Sequence, residues 1–99
     1  MYLDSYTDQI TRLCENHKVR NLFAFGSVLS DTFSENSDID LVVDFSTSDP
    51  FEYADSYFSL KFSLEDLFKR RIDLLEQKAL NNKYLIQSIN TSKKLIYEA

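Results

Sequence analysis

Two aspartates two residues apart, Asp38 and Asp40, follow the dipeptide Gly26-Ser27 after a gap of ten residues. A third acid, Asp73, sits in the later apolar run Ile72-Asp73-Leu74-Leu75. On an extended strand alternate side chains point the same way, so Asp38 and Asp40 share a face. Carboxylates placed side by side repel one another. A divalent cation removes that repulsion, and Mg²⁺ takes oxygen ligands from one or two carboxylates together with substrate phosphates. Phosphoryl transfer is the chemistry that uses such a pair. One ion lowers the pKa of an acceptor oxygen, and a second holds a triphosphate and steadies the leaving pyrophosphate. Gly26 lets the backbone approach phosphates, Ser27 adds a hydroxyl, and the amides that follow can donate to phosphate oxygens. Asp73 joins the pair if its strand lies beside theirs. It then either activates the acceptor as a base or completes the coordination of the catalytic ion.

These residues need elements to hold them. Leu3, Tyr6, Ile10, Leu13, Cys14 and His17 recur at three- and four-residue steps, so residues 2–17 are predicted to form an amphipathic helix. Leu22-Phe23-Ala24-Phe25 reads as a buried strand that feeds a tight turn at Gly26, the only glycine. Residues 28–37 are polar and irregular after one helical turn. In the strand predicted over 38–45, Ile39, Leu41, Val43 and Phe45 share an apolar face, and Asp38, Asp40, Val42 and Asp44 share the other. Asp44 lies about 13 Å beyond Asp40 along that strand and reads as a strand-end surface residue. Asp49, Pro50 and Glu52 mark a helix start. That helix is predicted to reach Lys69, with Ala54, Tyr57, Phe58, Leu60, Leu64, Leu67 and Phe68 partly buried and a break near Ser63 left open. Residues 71–75 read as a strand, 82–90 as a short helix, and 94–97 as a last strand or a helix end. The resulting order predicts an α/β fold, a small mixed sheet flanked by helices, in a single domain over residues 1–99.

Composition narrows the function. With a net charge of −5 and a densest basic run, Lys69-Arg70-Arg71, that is short, general nucleic-acid binding is disfavoured, whereas an acidic site suits a divalent metal. No apolar run is long enough for a membrane span, the N-terminus does not read as a signal peptide, and the single Cys14 fits a reducing cytoplasm. Cys14 falls in the apolar stripe of the first helix and is expected to be buried. His17 has no Cys or His partner at ligand spacing and reads as a helix-end residue favoured by the dipole. Phe51, Tyr53, Tyr57, Phe58 and Phe62 crowd one helix. A single face cannot bury all five, so some are expected to stay exposed, to pack against Tyr2 and Tyr6, or to meet a partner protein or a second copy in a homo-oligomer.

Gly26-Ser27-x10-Asp38-x-Asp40 resembles the signature of the nucleotidyltransferase superfamily that includes polymerase beta. Ser37-Asp38-Ile39-Asp40-Leu41-Val42-Val43 is similar to its minimal nucleotidyltransferase members, and Arg71-Ile72-Asp73-Leu74 to their later Val-Asp-Leu element. The resemblance implies the polymerase beta-like fold, with Asp38 and Asp40 binding two Mg²⁺ ions and Asp73 the catalytic one. It also implies that Gly26, Ser27 and Ser37 bind ATP or another NTP. It further implies transfer of AMP to a protein hydroxyl, as the antitoxin beside a helical HEPN-type toxin. One departure stands out. Where the family often continues Ala-Arg-Gly after the Gly-Ser-x, this chain has Leu29, Ser30 and Asp31. That removes a phosphate-neutralising arginine and leaves Lys18, Arg20 or Lys69 as substitutes. It also supports an alternative, a weak or inactive fold that blocks a partner by contact. A third reading, modification of a small molecule, needs a substrate domain for which the chain leaves little room.

Overall fold

The computed structural model describes residues 1–99. A 3₁₀ segment over Tyr2–Tyr6 leads into α1 (Thr7–Asn16), so the predicted first helix is kinked into two parts. Helix α1 turns Ile10 and Cys14 inward and ends at His17. The His17 ring Nδ1 lies 2.6 Å from the Leu13 carbonyl, a helix-end role that matches the reading of the sequence. Lys18, at φ 58°, then reverses the chain into β1 (Val19–Phe25), which starts earlier than its apolar run suggests.

Strand β2 (Ile39–Phe45) buries all four residues of its apolar face, Ile39, Leu41, Val43 and Phe45. Helix α2 (Pro50–Phe68) begins where Asp49 accepts from the Phe51 N–H and runs through Ser63 without a break. It stops at Lys69, which adopts the left-handed conformation at φ 54°. Strand β3 (Ile72–Glu76) follows. Helix α3 (Lys83–Ser92) is capped by the Asn82 side chain, which accepts from the Tyr84 and Leu85 N–H groups. Residues 94–98 settle as a strand, β4 (Lys94–Glu98).

The four strands form one mixed sheet in the order β3-β2-β1-β4. Strand β1 is antiparallel to both neighbours and β2 is parallel to β3. The parallel pair requires a crossover, and α2 supplies it. Helices α1 and α2 cover one sheet face. There Leu3, Ile10, Cys14, Leu22, Phe45, Leu60 and Leu64 close the core with the apolar side of β2. Tyr57 ties α2 to β3 by donating its hydroxyl to the Leu74 carbonyl at 2.7 Å. Helix α3 crosses the opposite face, where Ile86 and Ile89 stand with Phe23 and Val42 around a shared cavity. No helix is long and apolar enough to cross a membrane.

Helix α2 corrects part of the expected burial. Its inward residues are Ser56, Leu60, Leu64 and Phe68, while Ala54 and Phe58 are exposed and Tyr57 and Leu67 are half-buried. Phe51, Phe58 and Phe62 form an exposed stripe on its outer side, with Phe58 and Phe62 stacked 6.3 Å apart. This stripe lies across the sheet from the Asp40 face, so a partner seated on it does not reach the acidic rim. Tyr2 and Tyr6 pack on Phe68 and not on the stripe.

Cys14 is fully buried, and that burial, with Glu15 nearby, pushes its thiol up to about 12. Relative to its ordinary 9.0, this means roughly a thousandfold less thiolate at mildly alkaline pH. A thiol reagent should therefore label native Cys14 only as fast as the protein opens, and label the urea-unfolded chain at the rate of a free cysteine. Equal rates in the two states would show that the α1–sheet packing is not as described.

Candidate active site

Sheet register gathers the acids. In the antiparallel pairing Asp40 sits opposite Phe25, and in the parallel pairing opposite Asp73. Asp40 and Asp73 therefore share the sheet face that α1 and α2 leave free, as the parity of the two strands predicts. Asp38 precedes β2 and is exposed, with its Oδ2 4.0 Å from Arg71 Nε. Asp73 is exposed on β3, an outer strand of the sheet.

Gly26 follows Phe25 with φ +74°, and a Cβ built there would stand 2.5 Å from Asp40 Oδ2. Two separate constraints thus select glycine, a left-handed backbone and the closeness of a carboxylate. The chain then makes a 3₁₀ turn over Gly26–Leu29, in which the Ser27 carbonyl accepts from the Ser30 backbone N–H at 3.0 Å and from its hydroxyl at 3.2 Å. Val28 anchors this turn in the core. Ser37 is engaged in its own loop, where its hydroxyl accepts from the Ser34 N–H at 3.1 Å.

Arg70 is a residue that spacing alone did not reveal. Its Nη1 donates to the carbonyls of Ser34 and Ser37, each at 3.0 Å. Its guanidinium lies over the rings of Tyr2 and Phe33, 4.9 and 4.6 Å from their centroids. It therefore braces the loop that delivers Asp38 against the N-terminal aromatics. The sequence separation of these contacts, 36 and 33 residues, explains why no local pattern announced them.

Three expected phosphate-neutralising cations stand elsewhere. Lys18 and Arg20 lie at the opposite end of β1 from Gly26, where Lys18 pairs with Glu52 and Arg20 Nη1 approaches Asp44 at 3.9 Å. Lys69 turns to Asp66 at 3.0 Å. Asp44 is also corrected. It is only 7% exposed, because β1 residue Asn21 pairs opposite it and Lys78 approaches its Oδ1 at 3.8 Å.

The Asp40 carboxyl is held above its ordinary range, first by burial and then by the charges of Asp73 and Asp38. A bound cation would offset all three effects. Oxygen donors, mutual repulsion and a glycine opening beside Asp40 Oδ2 together fit a hard divalent ion. No three carboxylates stand close enough to enclose one.

A sequence model of the family described as "Polymerase beta, Nucleotidyltransferase" matches residues 8–99. A protein of Methanocaldococcus jannaschii, named as a candidate protein adenylyltransferase, is 36% identical over 87 residues, covering 86% of this chain and 82% of its own length. Among solved structures, a candidate minimal nucleotidyltransferase superposes with a TM-score of 0.75 at 26% identity, over 94% of this chain and 91% of that one. A complex of the tri-AMPylated Shewanella oneidensis HEPN toxin with its MNT antitoxin matches with a TM-score of 0.63 at 21% identity, over 94% of this chain and 70% of that one.

Two outcomes follow from the Asp40 surroundings. Because its native pKa is raised, folding binds the Asp40 proton more tightly, and stability falls as pH rises from the ordinary 3.8 through the raised value. Asp40→Asn should therefore melt at a higher temperature than the parent protein at neutral pH, with the gap closing as pH drops towards about 4. A variant less stable than the parent at neutral pH contradicts the assigned repulsion. For Gly26→Ala, the left-handed backbone alone should cost about 1–2 kcal/mol in urea unfolding, with the clash against Asp40 Oδ2 adding to it. An unchanged midpoint would contradict the described turn.

Proposed function

Because this chain belongs to the polymerase beta nucleotidyltransferase family, we propose that it transfers AMP from ATP to a hydroxyl on a partner protein. The observation that carries this reading is the pairing of Asp40 with Asp73 on the sheet face opposite α1 and α2, beside a glycine that adds no side chain over Asp40 Oδ2.

In this reading Asp38, Asp40 and Asp73 hold the divalent metal, with two Mg²⁺ ions as the expected complement. Bound Mg²⁺ supplies charge neutralisation for the triphosphate and makes the acceptor hydroxyl more acidic. Gly26 admits the triphosphate close to the backbone, Ser27 offers its hydroxyl, and Ser37 fixes the loop entering β2. The acceptor oxygen bonds to the α-phosphorus as the bond to the β-phosphate oxygen breaks, and pyrophosphate leaves. The acceptor proton passes to a carboxylate oxygen of Asp73, whose exposure on an outer strand suits contact with an incoming protein.

The tri-AMPylated toxin bound to the Shewanella antitoxin supports a HEPN-type toxin as the acceptor. The acidic net charge of −5 argues in the same direction, towards a protein and not a nucleic acid. A second reading, inhibition of that toxin by contact alone, is favoured by one feature. The turn after Ser27 continues with Ser30 and the exposed acid Asp31, where an arginine would neutralise phosphate.

Mixing the protein with a HEPN-type toxin, ATP and Mg²⁺ tests both readings by intact mass spectrometry. Increments of one AMP on the partner are expected. Asp40→Asn and Asp73→Asn should each lower transfer by about a hundredfold or more. Tight association without added mass, whichever NTP or metal is supplied, would reject the enzymatic reading and leave the contact inhibitor.

A further inference from the structure

Three exposed phenylalanines line the outer side of α2. Phe51, Phe58 and Phe62 are 87%, 54% and 61% exposed. Their seven- and four-residue spacing sets them in one row along the helix. Between Phe51 and Phe58 the row holds only Ala54 and Asp55, both exposed and too short to fill the space between two rings. The same side of α2 borders the larger of the molecule's two cavities. This is an open groove of about 370 Å³ between α1 and α2, where Arg12 and Asp66 stand beside Leu13 and Leu67.

We propose that this side of α2 seats a second copy of the chain, with the two α2 helices antiparallel about a two-fold axis beside Phe58. Three arguments select a second copy over a foreign partner. The first is fit. With the axis at Phe58, Phe62 of one copy meets Phe51, Ala54, Asp55 and Phe58 of the other. Those four positions, spaced i, i+3, i+4 and i+7, form the hole that receives a knob on a facing helix. Ala54 leaves the hole open enough for a ring. Antiparallel packing also sets the two helix dipoles in opposite senses, which is favourable. A two-fold pair is the commonest closed assembly.

The second argument is charge. The chain carries −5, yet this side of it is neutral. Glu52 pairs with Lys18 and Asp66 with Lys69. The remaining acids of α2, Asp55 and Glu65, are matched by Lys61 on the same helix and Arg12 across the groove. A strongly basic or acidic partner finds no net charge to recognise here, and a second copy meets no local excess of like charge. The third argument is area. A buried phenylalanine covers about 150–250 Å², and the three exposures amount to two whole side chains, so the rings bury about 400 Å² per copy. Ala54, Asp55, Ser59, Lys61 and the groove edge bring the total for both copies to about 1,200 Å², the lower end for a stable interface. An apolar patch of this extent marks an interaction site, whereas scattered exposed residues do not. The stripe lies across the sheet from Asp40, so both acid faces of the pair point outward and stay open.

Sedimentation equilibrium of the full chain between about 1 and 300 µM tests the pairing, since an interface of this size associates in the micromolar range. A reversible monomer–dimer equilibrium is expected. Phe58→Asp places two carboxylates at the axis and should weaken the dimer by about a hundredfold or more. Leu95→Asp, at the exposed apolar position on β4, should leave the dimer unchanged. Circular dichroism checks that each variant is folded, and Phe62→Asp carries the test if Phe58→Asp is not. A chain that stays monomeric throughout the range overturns the proposal and leaves the stripe to a different protein. A dimer that survives the aspartate on α2, or that Leu95→Asp breaks, overturns it by placing the contact elsewhere.

Discussion

Asp40 is confined on both sides, by Phe25 across the antiparallel pairing and by Asp73 across the parallel one. The residue after Phe25 can have no Cβ, since that atom would lie 2.5 Å from the carboxylate. The proposed chemistry depends on this three-strand register being kept. A slip of one residue in either pairing would turn Asp40 or its neighbour to the packed face. Strand β1 is irregular in mid-strand only on its other edge, where its pairing with β4 shifts between Leu22 and Phe23. Its pairing with β2 shifts only between Val19 and Asn21, at the end remote from Gly26.

The register is held from the other side of the sheet. Ile39, Leu41, Val43 and Phe45 alternate with the functional face and are sealed beneath α1 and α2. Stability and chemistry are thus assigned to opposite sides of one strand, and the acidic face carries little of the core. The link between the two sides runs through Arg70. It sits at the α2–β3 junction, stacks on Tyr2 and Phe33, and holds the loop that leads to Asp38. The N-terminal 3₁₀ segment, far from the acids in sequence, is thereby coupled to the placement of Asp38.

Local pattern made the frame legible. The alternation of residues 38–45 named both faces of β2, and the parity of Ile72-Asp73-Leu74 put Asp73 on the correct one, because a strand period of two leaves little freedom. The cap at Asp49 located the start of α2 for an equally local reason. What escaped depended on partners far along the chain. Asp44 is buried because Asn21, Arg20 and Lys78 close around it, and no spacing shows that. The same holds for Arg70, and for Lys93 over Phe23. Residues 94–97 were too few to show a period, so only pairing with β1 distinguished a strand from a helix end. On α2 apolar residues occur all round, and the inward face could not be separated from the exposed Phe51, Phe58 and Phe62.

Strand β3 is the last strand on its side of the sheet, and Asp73 lies on it in the open. In the proposed reading the acceptor comes to Asp73 from this open flank and is not selected by the size of an enclosed pocket. A folded protein can be brought to the reacting centre as readily as a small alcohol. Discrimination among acceptors must then come from how well two surfaces match outside the chemical centre, and the choice of target can be altered by changes that leave the acids untouched.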